Sequence, residues 1–148
     1  LFLNGPEIIS SARERDRGYR DALAEAGLVP LERSVSSMSG GVHSALDVLE
    51  AQGVRYDGIF AFSDLMALEA ACWLQEHGRK IPEDVRMAGF DDILSHMCIP
   101  FGLTSISADK KQETLYAVEL LLSRVEGRQD HAAERRTMDV RLVARTSS

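Results

Sequence analysis

Apolar residues along this chain fall into short continuous runs that alternate with helically spaced stripes. Two runs, Gly58 to Phe62 and Val85 to Phe90, each end in hydroxyl or acidic residues, Ser63–Asp64 and Asp91–Asp92. Short apolar runs bounded in this way predict buried strands of a parallel sheet. Between them a helical segment over 65–77 closes at Gly78, ahead of Pro82. Leu1 to Leu3 predicts a further strand, broken by Asn4-Gly5-Pro6. Ser10 or Ser11 then supplies a hydroxyl cap for a helix with Tyr19, Ala22, Leu23 and Ala26 on one face, stopped by Gly27. A less regular strand is expected over Val29 to Val35. A helix beginning at Ser39 carries Val42, Ala45, Leu46 and Leu49 and ends near Gly53. After a loop from Ile93 to Gly102, Leu103 to Ser107 predicts a short strand. Asp109 opens a longer helix with a stripe of Leu115, Val118, Leu122 and Val125, ended by Gly127. A polar stretch, Arg128 to Arg136, precedes a last alternating segment at Met138, Val140 and Leu142. Strands alternating with helices of this length predict a doubly wound α/β fold, a mainly parallel sheet flanked by helices.

The 65–77 helix departs from simple amphipathicity. From Leu65 to Leu74 its only charged residue is Glu69. A helix apolar around most of its circumference is buried on more than one side, so it is either central or meets another subunit. The chain has 148 residues, 45% of them hydrophobic, which suffices for one sizeable core. A net charge of −6 argues against a phosphate-gripping surface, because nucleic-acid modules present a basic face. Cys72 and Cys98 fit no metal or redox spacing and sit among apolar residues, as small buried or interface thiols do in a reducing, cytoplasmic compartment. His43, His77 and His131 stand among polar neighbours, and no two histidines are spaced to share a metal. No run reaches the roughly 18–20 apolar residues of a membrane span. The chain opens at Leu1 inside an apolar run, which leads us to expect a fragment of a longer protein.

In an open α/β sheet, ligands bind beyond the carboxyl ends of the strands. Ser63, Asp64, Asp91 and Asp92 stand at such ends, so a binding site is expected there. A reactive carboxylate on a flavodoxin-like fold is the enzymatic alternative. It would need an acidic Mg²⁺ cluster and a lysine on a later strand end, and neither is read in the sequence. Nor is a Gly-x-Ser-x-Gly elbow or a phosphate-cradling glycine loop. We therefore expect no catalysis, no metal and no cofactor.

Several stretches, in order, resemble the LacI/GalR family of transcriptional regulators: SARERDRGYRDALAEAGL after LFLNGP, then FAFSDLMALEA, IPEDVRMAGFDD, LTSI and the closing LVART. The resemblance spans nearly the whole chain and implies the C-terminal portion of a periplasmic-binding-protein-like sensor. It implies that 1–107 and about 136–148 form most of the C-terminal lobe. The helix at about 108–127 would belong to a missing N-terminal lobe, and the DNA-binding domain would be absent. Operator DNA would then be a partner only through that domain, and the ligand a sugar or purine-like effector held between lobes.

Carried over by position, Arg13 matches an arginine that bonds ligand hydroxyls in sugar-binding members. Arg15 matches one that purine-type members use. A guanidinium suits either task, as a rigid fork of donors. Ser63 replaces the usual asparagine, Asp64 is a ligand contact or a helix cap, and Asp91 accepts from ligand hydroxyls or a base nitrogen. Asp92 is expected to be structural. Val35 falls where an aromatic is common, which points to a smaller or more polar effector. The resemblance also implies a homodimer formed through Met38, Met66, Ala70, His96, Met97, Cys98 and Ile99, with soft and small apolar groups at a self-complementary surface. The alternative within the same architecture is an exported, periplasmic-type sugar-binding protein.

Overall fold

The computed structural model describes residues 1–35, 40–94, 101–127 and 136–148. Six strands form one sheet in the order β2-β1-β3-β4-β5-β6: β1 Phe2–Asn4, β2 Glu32–Ser34, β3 Gly58–Ala61, β4 Arg86–Phe90, β5 Thr104–Ala108 and β6 Val140–Val143. The four pairings among the first five strands are parallel, and β6 closes the edge antiparallel to β5, with Ile106 opposite Leu142. Helices α1 (Ser10–Glu25), α2 (Gly41–Ala51), α3 (Asp64–Glu76) and α4 (Lys110–Val125) fill the connections. The predicted doubly wound α/β fold is the observed one.

The core lies where α2 and α3 pack on each other and α3 packs on β3 and β4. α2 buries Val42, Leu46 and Leu49, a stripe at spacings of four and three. α3 buries seven residues, among them Trp73 and Leu74. Trp73 also donates its indole N–H to Asp47 Oδ1 at 2.8 Å, so its one polar atom is satisfied as the ring leaves water. The nearly all-apolar sequence of α3 thus reflects a central helix. Its outward residues are Leu65, Cys72, Gln75 and Glu76, so Cys72 is an exposed thiol and not a buried one.

Three local expectations are corrected. No serine hydroxyl caps α1: Ile9 holds the cap position without a side-chain bond, and Ser10 is already helical. The stripe read from Tyr19 to Ala26 is largely exposed, and Ala12 is the one fully buried residue of α1. The helix expected from Ser39 starts at Gly41, behind Gly40, whose φ of +73° suits a residue without a side chain. By contrast Asp109 does cap α4, accepting from the Gln112 amide at 3.0 Å. None of the α4 residues is buried, and Leu115, Val118, Leu121, Leu122 and Val125 face outward.

Candidate functional site

β1 is flanked by β2 on one side and β3 on the other. Consecutive connections therefore leave the carboxyl ends of β1 and β3 in opposite directions, which opens a crevice between them. Asn4 and Gly5 form one lip and Phe62 the other. The fit is close: a Cβ added to Gly5 would stand 3.2 Å from the Phe62 ring.

Arg15 reaches into this crevice from the second turn of α1. Its guanidinium donates to the Phe62 carbonyl. It also lies between two aromatic faces, 3.6 Å from the Phe90 ring centroid and 4.4 Å from that of Phe62. Rings that end β3 and β4 thus hold the cation by its flat faces and leave its edge free to donate. Asp91 follows Phe90, and its Oδ1 lies 3.8 Å from an Arg15 terminal nitrogen. The Asp91 side chain is 36% exposed against 18% for Arg15, so the carboxylate is the more open partner.

Neither charge is fully compensated. Burial raises the Asp91 pKa above its ordinary value; Arg15 and Lys110 oppose this and Asp64 adds to it. Burial likewise lowers the Arg15 pKa, against the pull of Asp91. At 3.8 Å the pair is too long for a direct hydrogen bond. Two partly dehydrated groups, one all donor and one all acceptor, are available to a polar ligand.

Asp91 also has an unusual backbone, with φ of +99°, and Asp92 follows at +51°. Side chains other than glycine rarely adopt such values, and holding them costs about 1–3 kcal/mol unless the surroundings enforce them. The surroundings do so here. The Asp91 amide donates to the Ile106 carbonyl at 2.9 Å, and the Asp92 amide to Ser105 Oγ at 3.1 Å. The Ile93 amide donates to Asp64 Oδ2 at 2.8 Å.

Asp64 is therefore placed differently from a ligand contact. It is buried, and its other oxygen accepts from Ser105 Oγ at 2.6 Å, so both carboxylate oxygens are engaged inside the protein. Ser63, not Asp64, is the cap of α3, accepting from the Met66 amide at 3.3 Å. Arg13 points away from Arg15, as residues two apart on a helix do, and its guanidinium donates to the Glu7 carbonyl at 2.6 Å. Val35 is buried in the core beyond β2 and presents no ring face. Asp92 is structural, bonded to Arg145 at 2.7 Å.

Of the residues read as a subunit interface, Met66 and Ala70 are buried within this chain, at 3% and 0% exposure, and offer no surface to a second one. Their periodicity is that of a core face. Met38, His96, Met97, Cys98 and Ile99 lie outside the described residues. Among the described residues no three His, Cys, Asp or Glu side chains are grouped to hold a metal, and no helix is long and apolar enough to cross a membrane.

Sequence reasoning missed the Phe62–Phe90 clamp, although its signal was present: each strand that ends in a polar pair has phenylalanine just before it. It also missed Ser105 and Arg145. A serine and an arginine without charged neighbours in sequence carry no local sign of their partners.

Residues 2–148 match the family model of the periplasmic binding protein-like domain. The chain belongs to that family. Its relatives are transcriptional regulators of the LacI type. The regulator CelR of Thermobifida fusca is 34% identical over 96% of this chain and 41% of its own length. A solved CelR–cellobiose complex superposes with a TM-score of 0.85 at 29% identity, over 99% of this chain and 46% of that one. A lac repressor dimer bound to operator and the anti-inducer ONPF gives 0.85 at 25% identity, over 99% and 51%. The chain spans well under half the length of the curated relatives it matches, 42% and 41% in two of them.

Proposed function

We propose that this chain is the ligand-sensing part of a LacI-type transcriptional regulator, and that Arg15 and Asp91 bind a small polar effector of sugar or purine-like chemistry at the carboxyl ends of β1, β3 and β4. The observation that carries the reading is the incompletely paired Arg15–Asp91 couple at the switch point of the sheet, its guanidinium clamped between Phe62 and Phe90. Asp91 accepts from ligand hydroxyls or ring N–H groups, and Arg15 donates to a ring or carbonyl oxygen. Their separation leaves each with unused bonding capacity. Ser63, its hydroxyl committed to the cap, lines the floor more than it bonds.

In the whole protein the effector closes against a second lobe, and α4, with its exposed Leu115, Val118 and Leu122, packs in that lobe. Closure shifts a dimer between two states that differ in operator affinity. The regulator acts in the cytoplasm, performs no chemical step and needs no cofactor. The dimer surface comprises the outward side of α3, with Leu65 and Cys72, together with Met38 and the 96–99 segment. The half-exposed Leu65 and Ile93 support that assignment.

The test is a thermal-shift panel of mono- and disaccharides, sugar phosphates and purines on the full-length protein, run in parallel on Asp91→Ala. The expected result is a stabilising compound whose effect disappears in Asp91→Ala. At a hundredfold excess over Kd a true effector adds about 2.7 kcal/mol to the folded state, well within detection. A stabiliser that works equally on Asp91→Ala would refute the site.

A further inference from the structure

A second set of contacts surrounds Asp91 without touching the crevice. Arg145, in the segment after β6, donates from one terminal nitrogen to Asp92 Oδ1 at 2.7 Å and from the other to the Leu103 carbonyl at 2.6 Å. Its own amide donates to Thr104 Oγ1 at 2.8 Å. The arginine is thereby fixed at both its backbone and its fork. Ser105, one residue further along β5, holds the Asp92 amide and itself donates to the buried Asp64. Asp64 in turn holds the Ile93 amide. The bonds that hold Asp92 to Arg145 and Ser105, and Ile93 to Asp64, therefore belong to one connected polar network. That network runs from the C-terminal segment through β5 to the start of α3.

The left-handed backbone of Asp91 is the reason this network has a purpose beyond stability. An aspartate at φ of +99° relaxes to an ordinary conformation when its surroundings permit. Relaxation would swing its carboxylate out of reach of Arg15. We infer that Arg145 is a positioning residue: by pinning Asp92 it holds the Asp91 carboxylate in the crevice beside Arg15. The inference rests on the reading of Asp91 as an effector contact, but concerns how that residue is presented.

The experiment reads Asp91 directly, in ligand-free full-length protein. Aspartate labelled with ¹³C at Cγ is followed through a pH titration by NMR, the Asp91 signal being assigned from its loss in Asp91→Asn. The groups that face Asp91 are Arg15 on α1, Lys110 on α4 and Asp64 on α3, and none is altered in the variants used. In Arg145→Gln the Asp91 carboxyl gains water, and its apparent pKa falls towards the ordinary carboxylate value. Thr146→Ala removes a comparable tie of the same segment, the hydroxyl that accepts from the Gly102 amide at 2.9 Å. It leaves the Asp91 titration where it was. A merely structural arginine would leave the titration unmoved in Arg145→Gln, or raise the Asp91 pKa slightly through the loss of its positive charge, and either result overturns the inference. Should Arg145→Gln fail to fold, Arg145→Lys, which keeps the charge but loses the fork that reaches both Asp92 and Leu103, reads the same quantity with the same expected direction. Because no ligand enters the measurement, a displaced Asp91 titration upholds the positioning role even if every compound of the panel fails to bind. An effector whose affinity is unchanged in Arg145→Gln, where about a tenfold loss is expected, contradicts it.

Discussion

The two ends of this sheet solve the problem of exposed strand termini in opposite ways. At the amino ends, Tyr19, Leu23, Leu28, Val29 and Leu31 border an open, mainly apolar groove of about 480 Å³ against Phe60 and Met87. Val29 there is 89% exposed. Some polar groups are dehydrated there as well, since burial lowers the pKa of the Leu1 amino group and raises that of Tyr56, but no non-glycine residue lining the groove is held at positive φ. At the carboxyl ends there is far more constraint. A guanidinium is clamped between rings, a carboxylate is half-buried, two residues stand at positive φ, and a buried aspartate has both oxygens spoken for. Unfilled volume marks where the chain covers its strands poorly. Dehydrated charge and enforced strain mark where a ligand is to be met.

The comparison can be broken most forcefully at Gly89. A Cβ there would lie 2.3 Å from Asp64 Oδ1 and 3.1 Å from Leu103 Cδ2, and Asp64 is tied by Ser105 and Ile93. Gly89→Ala should cost about 2–3 kcal/mol, measured as a lower midpoint of urea unfolding. Next comes Asp64→Ala, which leaves a hydroxyl and a backbone amide without their acceptor inside the protein. Each such group costs about 1–3 kcal/mol; water entering the vacated space satisfies both in part, so a loss near 2 kcal/mol, the lower end for two groups, is expected by the same measurement. Val29→Ser at the amino end should change stability by less than about 0.5 kcal/mol. A loss comparable to that of Asp64→Ala would mean that the groove is as constrained as the opposite rim.

Asp91→Asn sharpens the comparison through its sign. Because burial raises the folded-state pKa of Asp91, the folded protein keeps that proton to a higher pH than the unfolded chain does. The contribution of Asp91 to stability is therefore most favourable below the ordinary carboxylate pKa. It declines as pH rises through the folded value. Asparagine tolerates positive φ as well as aspartate does and carries no charge. At neutral pH the variant should be slightly more stable than the wild type, by a few tenths of a kcal/mol after solvent screening. The difference should vanish on acidification. Thermal unfolding at a series of pH values checks both points, and a wild type that outlasts Asp91→Asn at neutral pH would show that Arg15 compensates the carboxylate in full.

Much of this was legible in the chain itself. The apolar runs ending at Phe62 and Phe90 located two central strands nearly to the residue, because a strand with helices over the sheet keeps few polar side chains. Asp109 was legible as a cap, since its role is local. The cap expected at Ser10 or Ser11 was not, for hydroxyls are common near helix starts and only the geometry of the preceding residue decides which one bonds. Met66 and Ala70 were misplaced at a subunit surface because an all-apolar helix reads the same whether its faces meet one chain or two. Asp64 and Asp91 look alike in sequence, each an acid after an apolar strand. What separates them is a hydroxyl from β5 and an amide from the turn after β4, both far away along the chain. Such long-range satisfaction leaves no periodic trace.

The most direct test of the account is hydrogen exchange on the full-length protein with and without the compound that stabilises it most. The account predicts slowed exchange at the carboxyl rim, at Gly5, Phe62 to Asp64 and Asp91 to Ile93. It predicts no change around Leu28 to Leu31 and Arg55 to Gly58. Protection confined to the amino-end groove, with the Asp91 turn unaffected, would contradict it.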